Sequence, residues 1–183
     1  MAPGYLIGVG QDATDAGRRL GTMLQVFDVR DPYNPIQTSK LRIGGASEAE
    51  YDHHAFLWWP QSSDAFVPNQ NYDQKTGRPF SGLVVANVTP AKITERGRIQ
   101  HELEVRPGEP WPVGASPVTL APTTLPPNTT PGAIPPPTIP RPELVQDQVR
   151  RALIVNGRLV TVGNSSVKVS ELATLTPMLF TRF

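Results

Sequence analysis

The three histidines of the chain are the first candidates for chemistry, because two of them follow an aspartate directly. Asp52, His53 and His54 are consecutive, and His101 lies further along. Imidazole nitrogens and carboxylate oxygens are ligands that zinc and similar divalent ions take. On a strand, His53 and His54 would point to opposite faces and would not share an ion without a bulge. The pattern leaves two interpretations open: a metal site of Asp52, His53 and His101, or a structural hydrogen-bond network, which is favoured.

A second candidate is the glycine pattern G-x-G-x-x-A at residues 8–13, with Asp28 ending a strand 20 residues after Gly8. A dinucleotide site has these marks, but it also needs a helix that packs on the sheet. Leu20 is the one large apolar residue between positions 12 and 21. We therefore expect a glycine-rich turn between strands here, and no cofactor.

Two further motifs have both a binding and a structural interpretation. Asp28, Asp31 and Asn34 offer oxygen ligands, yet they lack the glycine and glutamate of an EF-hand loop, and Asp or Asn before proline is typical of a turn. Trp58 and Trp59 are adjacent, so alternation along a strand places one inward and one outward. At most one of them is free to stack on a ligand, and core packing is the default.

Composition excludes several classes of function. The chain of 183 residues has no cysteine, which rules out disulfides, thiolate zinc sites and cysteine nucleophiles. Its net charge of +1 argues against a nucleic-acid partner. No apolar run is long enough for a membrane span, no signal peptide is recognisable, and no G-x-S-x-G motif occurs. We assign no residue a catalytic role.

The elements that must position these residues are divided by a proline-rich segment. Residues 106–142 hold 13 of the 21 prolines. Proline lacks an amide donor and pushes the preceding residue toward extended conformations. The composition predicts a flexible loop that has no regular structure and few contacts. It separates residues 1–105 from residues 143–183.

Outside this segment the chain is predicted to be all-β, with short strands punctuated by glycine and proline turns. Asn156 and Gly157 are a two-residue hairpin signal. Helical periodicity is limited to residues 47–51 and 143–151, which could each form a turn or two. The predicted strands are residues 5–9, 23–29, 36–43, 55–59, 65–67, 83–88, 93–99, 152–155, 159–162 and 167–172, the last being closest to the chain end.

The strands recur in a fixed order. Residues 24–29 and the strand after them parallel residues 83–88 and their successor, and residues 167–172 repeat the first half. Val26 and Val85 are 59 positions apart, and Val85 and Val167 are 82 apart, or about 45 without the proline-rich insertion. This spacing predicts β-propeller blades, in about two and a half four-stranded antiparallel meanders with one long loop.

Because a propeller needs about four blades to close, we expect the chain to be part of a longer protein whose start lies before Met1. An open arc of blades leaves one face uncovered. We expect Phe56, Phe66 and one of the two tryptophans to line that face, so that the isolated chain aggregates or dimerises.

Seven motifs lie outside the proline-rich segment, at residues 5–13, 17–21, 25–35, 48–56, 66–68, 97–101 and 150–156. Together they resemble a known family, the bacterial and archaeal secreted proteins with a C-terminal β-propeller domain. The resemblance covers Asp52, His53 and His101, whereas the family usually has a lysine at the position of His54, and the proline-rich loop is longer here.

The resemblance implies a propeller exported to the cell envelope, and it implies no known chemistry. We expect a non-catalytic binding or scaffold protein whose partners are upstream blades of the same protein and a protein or carbohydrate ligand. The alternative is a metal-dependent propeller hydrolase or lyase that uses Asp52, His53 and His101.

Overall fold

The computed structural model describes residues 1, 3–73, 78–105, 116–117 and 143–183, and it confirms the all-β class. Two short 3₁₀ turns, Glu48–Glu50 and His53–Ala55, interrupt the strands. The strands are β1 (Tyr5–Ala13), β2 (Arg19–Asp28), β3 (Ile36–Gly44), β4 (Leu57–Trp59), β5 (Asp64–Asp73), β6 (Arg78–Val88), β7 (Ile93–Val105), β8 (Ser116–Pro117), β9 (Glu143–Asp147), β10 (Val149–Val155), β11 (Arg158–Gly163), β12 (Ser166–Glu171) and β13 (Pro177–Arg182).

The strands form three sheets in which every pairing is antiparallel. Sheet 1 has the order β1-β2-β3, and sheet 3 has the order β10-β11-β12-β13. Sheet 2 has the order β4-β5-β6-β7-β9-β8, so that a four-stranded meander is extended by two strands from beyond residue 105. The predicted meanders are therefore present, with β2 between its two neighbours as expected.

Sheet 2 is the middle layer, as the burial of its strand β6 shows. Residues 83–86 of β6 are all fully buried, which requires cover on both faces of the strand. Val84 and Ala86 pack in one apolar core with Leu24 of sheet 1. Leu83 and Val85 pack in a second core with Leu159 of sheet 3. An unbroken apolar run thus becomes a strand sandwiched between two other sheets.

The predicted hairpin between β10 and β11 is confirmed. Val155 pairs with Arg158, which leaves a two-residue loop. Asn156 and Gly157 have φ angles of 50° and 72°. Positive φ at both central residues is the type I′ geometry that matches strand twist, and Asn-Gly tolerates it best.

Three local predictions were wrong. Residues 8–13 lie inside β1 rather than in a turn between strands. Residues 143–151 form β9 and the start of β10 instead of a helical turn. The strand at residues 167–172 is not closest to the chain end, because β13 follows it as the edge of sheet 3. In each case, pairing with a neighbouring strand satisfies the backbone N–H and C=O groups of the segment, and the local hydrophobic periodicity does not reveal that pairing.

Most of the proline-rich segment lies outside the described residues. Its exception is Ser116–Pro117, which pairs with Gln146 and Val145 as strand β8. In the described part of the chain, no helix is long and apolar enough to cross a membrane.

Candidate functional site

The Asp52–His54 sequence forms a tight turn rather than a strand, so the alternation argument for the two histidines was wrong. Asp52 caps the 3₁₀ turn, and its side chain accepts a hydrogen bond of 2.9 Å from the His54 backbone N–H. The His54 Nδ1 lies 3.2 Å from Asp52 Oδ1. The rings of His53 and His54 lie side by side, with centroids 3.9 Å apart.

This turn brings three potential metal ligands together at the surface, one carboxylate and two imidazoles. One ligand atom from each of Asp52, His53 and His54 lies within 4.8 Å of the other two. Arg151 of β10 reaches the free oxygen of the carboxylate, with Nη2 3.2 Å from Asp52 Oδ2. The pKa of Asp52 is lowered, chiefly because the His54 backbone N–H donates to the carboxylate, with further contributions from the His54 ring and Arg151.

His101 lies elsewhere, in a fully buried network that joins sheets 2 and 3. Its Nδ1 is 2.8 Å from Ser166 Oγ, and its Nε2 is 2.6 Å from Thr161 Oγ1. Ser166 Oγ also donates to Asp147 Oδ2 over 2.6 Å, and Asp147 is fully buried. The ring of Phe180 closes the site edge-on.

The direction of these hydrogen bonds follows from the donors available. A carboxylate only accepts, so the Ser166 proton goes to Asp147 and His101 Nδ1–H donates to Ser166. Because the pKa of His101 lies well below 7, the imidazole is neutral, and its unprotonated Nε2 accepts from Thr161 Oγ1. The pKa of His101 is lowered to about 4, first by burial and next by the charge of Lys168, while Asp147 acts in the opposite direction.

The structure therefore brings Asp52 and His53 together with His54, and it does not bring His101 to them. Sequence reasoning missed Arg151, which pairs with Asp52, and Asp147, which anchors the His101 network. The alternation of Asp147 with Val145 and Val149 was the available signal for the second, since a carboxylate that shares a strand face with apolar residues needs a partner.

A third polar feature is a cleft between sheets 2 and 3, with a volume of about 500 Å³. Asp64 is fully buried at its base and is paired with Arg96. Ser62 donates to the Asp64 carboxylate over 2.6 Å. Arg96 also donates to the backbone carbonyl of Ala173, so it ties sheet 2 to the loop after β12. Glu171 and Asn87 line the open side.

The two tryptophans and the aspartate turn have the predicted structural roles. Trp58 packs against the core between sheets 1 and 2, and Trp59 packs against the core between sheets 2 and 3. Asp31 Oδ1 accepts a hydrogen bond of 3.0 Å from the Tyr33 N–H, and its carbonyl accepts one from Asn34.

The outer face of sheet 3 is apolar and uncovered. A row of aliphatic side chains crosses all four strands, since Leu153 pairs with Val160, Val160 with Val169, and Val169 with Leu179. Leu153 and Leu179 are 50% and 59% exposed. We call this row the sheet 3 face. The expectation that Phe56, Phe66 and one tryptophan line the uncovered face was wrong. Phe66 is fully buried in the core between sheets 2 and 3, and Phe56 packs against the core between sheets 1 and 2, as does Trp58.

Comparison with known proteins gives one match. The family described as Beta propeller domain matches residues 1–113, which include strands β1 to β7. No curated protein matches the chain. No solved structure matches it either.

Proposed function

Because this chain belongs to the β-propeller domain family, we propose that it is a non-catalytic scaffold module whose sheet 3 face packs against another propeller blade. In a propeller each blade is covered by its neighbours, so an apolar sheet face is the surface on which the next blade is stacked. The observation that carries the proposal is the row of Leu153, Val160, Val169 and Leu179. On this view the chain is one part of a longer propeller.

The opposite end of the stack provides a contrast within the same molecule. The outer face of sheet 1 is predominantly polar: Gln25 pairs with Lys40, and Arg42 forms an ion pair with Asp12. Leu6 is the exposed large aliphatic residue there, at 58% exposure. Solvated polar groups are costly to bury without partners, whereas an aliphatic row gains free energy when it is covered. The sheet 3 face is thus the better docking surface.

The binding part of the proposal uses the cleft between sheets 2 and 3. Its volume of about 500 Å³ lies in the range of small-molecule sites. Asp64 and Arg96 form an ion pair in the lining, and Glu171 and Asn87 contribute carboxylate and amide oxygens that can accept hydrogen bonds from a ligand. We propose a polar ligand of the carbohydrate class. Thermal-shift screening of soluble saccharides against the wild type and Glu171→Gln tests it: a shift for the wild type that the variant loses is expected, and no shift with any saccharide contradicts it.

We also propose that the module works in the cell envelope, on the basis of the family resemblance. Fractionation of the native cells with an antibody against the chain tests this. Recovery of the protein in the envelope or medium is expected, and recovery only with cytoplasmic markers would refute it.

The metal-dependent hydrolase or lyase is not favoured. It required His101 as the third ligand beside Asp52 and His53. His101 is fully buried, and hydroxyl groups of Thr161 and Ser166 engage both of its ring nitrogens.

The scaffold proposal is tested by comparing two leucines with nearly equal exposure. Leu179→Lys places a charge in the sheet 3 face, and Leu6→Lys places one on the outer face of sheet 1. We expect the wild-type chain to self-associate at micromolar concentration, using the sheet 3 face in place of the missing blade. Leu179→Lys should shift it to monomer, and Leu6→Lys should leave it unchanged.

Sedimentation velocity over a concentration series measures this directly. A wild-type chain that stays monomeric would refute the docking role of the sheet 3 face. Association that Leu179→Lys leaves intact, or that Leu6→Lys abolishes, would refute it as well. Circular dichroism of both variants confirms that the charges act on association and not on folding.

A further inference from the structure

The 3₁₀ turn at Asp52 has the donor set and the spacing of a transition-metal site, and this does not depend on the scaffold role. We propose that Asp52, His53 and His54 bind one zinc ion, or a divalent ion of similar ligand preference, at the junction with sheet 3. Two imidazoles and a carboxylate are ligands that zinc takes, and three protein ligands leave a fourth position for water. Calcium and magnesium prefer oxygen ligands alone, so they are expected to bind far more weakly.

The distances already fit two of the three ligands. In tetrahedral zinc sites the ligand atoms lie about 2.0 Å from the metal, which puts two ligands about 3.3 Å apart. His54 Nδ1 and Asp52 Oδ1 are 3.2 Å apart. An ion would therefore replace the proton that the two atoms now share. The His53 ligand atom lies within 4.8 Å of both, and His53 is exposed, so rotation of its side chain closes the remaining gap.

The surroundings hold the carboxylate in the orientation that such a site needs. The second oxygen of Asp52 accepts from Arg151 Nη2 at 3.2 Å, which leaves the first oxygen directed at the histidines. Partners of this kind, outside the ligand set, orient metal ligands in many proteins. Arg150 makes a parallel ion pair with Glu48 at 2.6 Å, so it holds the neighbouring turn without touching the ligands.

The charged side chains around the turn determine how tightly it is expected to bind a divalent ion. Asp52 and Glu48 balance Arg151 and Arg150, so a doubly charged ion meets a locally neutral surface. With three protein ligands and no local net charge, we expect affinity in the micromolar range. Arg151 lies on β10, so its ion pair with Asp52 connects the ligand turn to sheet 3.

Isothermal titration with zinc at pH 7.5 tests the proposal, using the full chain without a histidine tag. The chain is well suited to this test, because it has no cysteine and three histidines. We expect one ion per chain, and no heat with magnesium or calcium at the same concentration. His53→Ala, His54→Ala and Asp52→Asn should each weaken binding by about tenfold or more. The double variant His53→Ala/His54→Ala keeps only the buried His101 and should not bind.

The two neighbouring arginines provide a matched control for the positioning role. Arg151→Ala should weaken zinc binding and change the visible absorption of bound cobalt, which reports ligand geometry. Arg150→Ala should do neither.

Absence of zinc binding by the wild type would overturn the proposal. Binding that persists in the double variant would also overturn it, since the ion would then lie elsewhere. If His53→Ala alone were without effect, the three-ligand site would be refuted. Denaturation curves in the absence of metal confirm that each variant is folded.

Discussion

Two histidine-containing polar centres connect sheet 3 to the rest of the molecule, and they differ chiefly in burial. In the first, His101, Ser166 and Asp147 are all fully buried. In the second, His53 and His54 are exposed, and Arg151 reaches Asp52 across the surface. In the buried centre every lost hydrogen bond leaves a desolvated group, whereas at the surface water replaces it. The buried centre is thus built for stability, and the exposed one is free to take a ligand.

The largest difference in stability between the two centres is expected when a histidine of each is replaced by alanine. His101→Ala removes a buried ring together with its hydrogen bonds to the hydroxyls of Thr161 and Ser166. The free energy of unfolding should fall by about 3–5 kcal/mol. His53→Ala should change it by less than about 0.5 kcal/mol. Urea denaturation at pH 7.5 without metal measures both.

Equal losses for the two variants would mean that burial does not distinguish the centres. If His101→Ala does not fold, Ser166→Ala serves in its place. It retains the ring but leaves His101 Nδ1 without its partner and removes one of the two hydrogen bonds to Asp147 Oδ2, so its cost should still exceed that of His53→Ala.

Lowering the pH should destabilise the folded chain through the buried histidine centre. The pKa of His101 is about 4 in the folded chain, against 6.5 for an ordinary histidine. The unfolded chain therefore takes up a proton at a higher pH than the folded chain does. The contribution of the neutral His101 to the free energy of unfolding is fully present above pH 6.5. It is lost as the pH falls toward 4, which lowers the free energy of unfolding by up to about 3 kcal/mol.

Denaturant midpoints measured from pH 7.5 to pH 4 test this prediction, with a His101→Gln variant for comparison. The wild type should lose stability across this window, and the variant should lose less. Parallel pH profiles would show that another group is responsible.

Two strand glycines test how tightly the buried centre is packed. A Cβ at Gly163 would lie 2.2 Å from Asp147 Oδ2, whereas a Cβ at Gly10 meets nothing within 4 Å. Gly163→Ala should lower the free energy of unfolding by about 1–3 kcal/mol, because the carboxylate must shift. Gly10→Ala should change it by less than about 0.5 kcal/mol. Thermal denaturation of the pair at one pH measures the difference, and a harmless Gly163→Ala would contradict the packing described.

The smallest effect is expected at the exposed ion pair. The side chains of Arg151 and Asp52 are 52% and 30% exposed. Because solvent screens such a pair, Arg151→Ala should cost about 0.2–1 kcal/mol in the absence of metal. Urea denaturation in low salt measures it. A loss as large as that of His101→Ala would mean that the exposed centre is structural after all.

Much of the fold could be predicted from the sequence. Alternation and turn residues located β2, β6 and β12, and Asn156-Gly157 located the β10–β11 hairpin. Strand β13 was missed because its sequence, Pro-Met-Leu-Phe-Thr-Arg, begins with proline and does not alternate between apolar and polar residues. The start of residues 143–151 was misread because its apolar spacing suits a helix turn as well as a strand.

The candidate site was predicted only in part. Asp52 and His53 were recognised, but His54 was set aside because a strand would have turned it away. A 3₁₀ turn capped by Asp52 reverses that conclusion, since it places adjacent side chains on one side.

The sequence by itself determined the all-β class and the repeated strand order, because these follow from the periodicity of neighbouring residues. The burial of β6 on both faces was decided by the stacking of sheets 1 and 3 on sheet 2. Tertiary structure decided which polar groups meet. His101 and Ser166 are 65 positions apart, and they touch because sheet 3 stacks on sheet 2. Stacking also left the sheet 3 face open and brought Arg151 to Asp52. Contacts between sheets depend on how whole layers pack, and local periodicity contains no record of that arrangement.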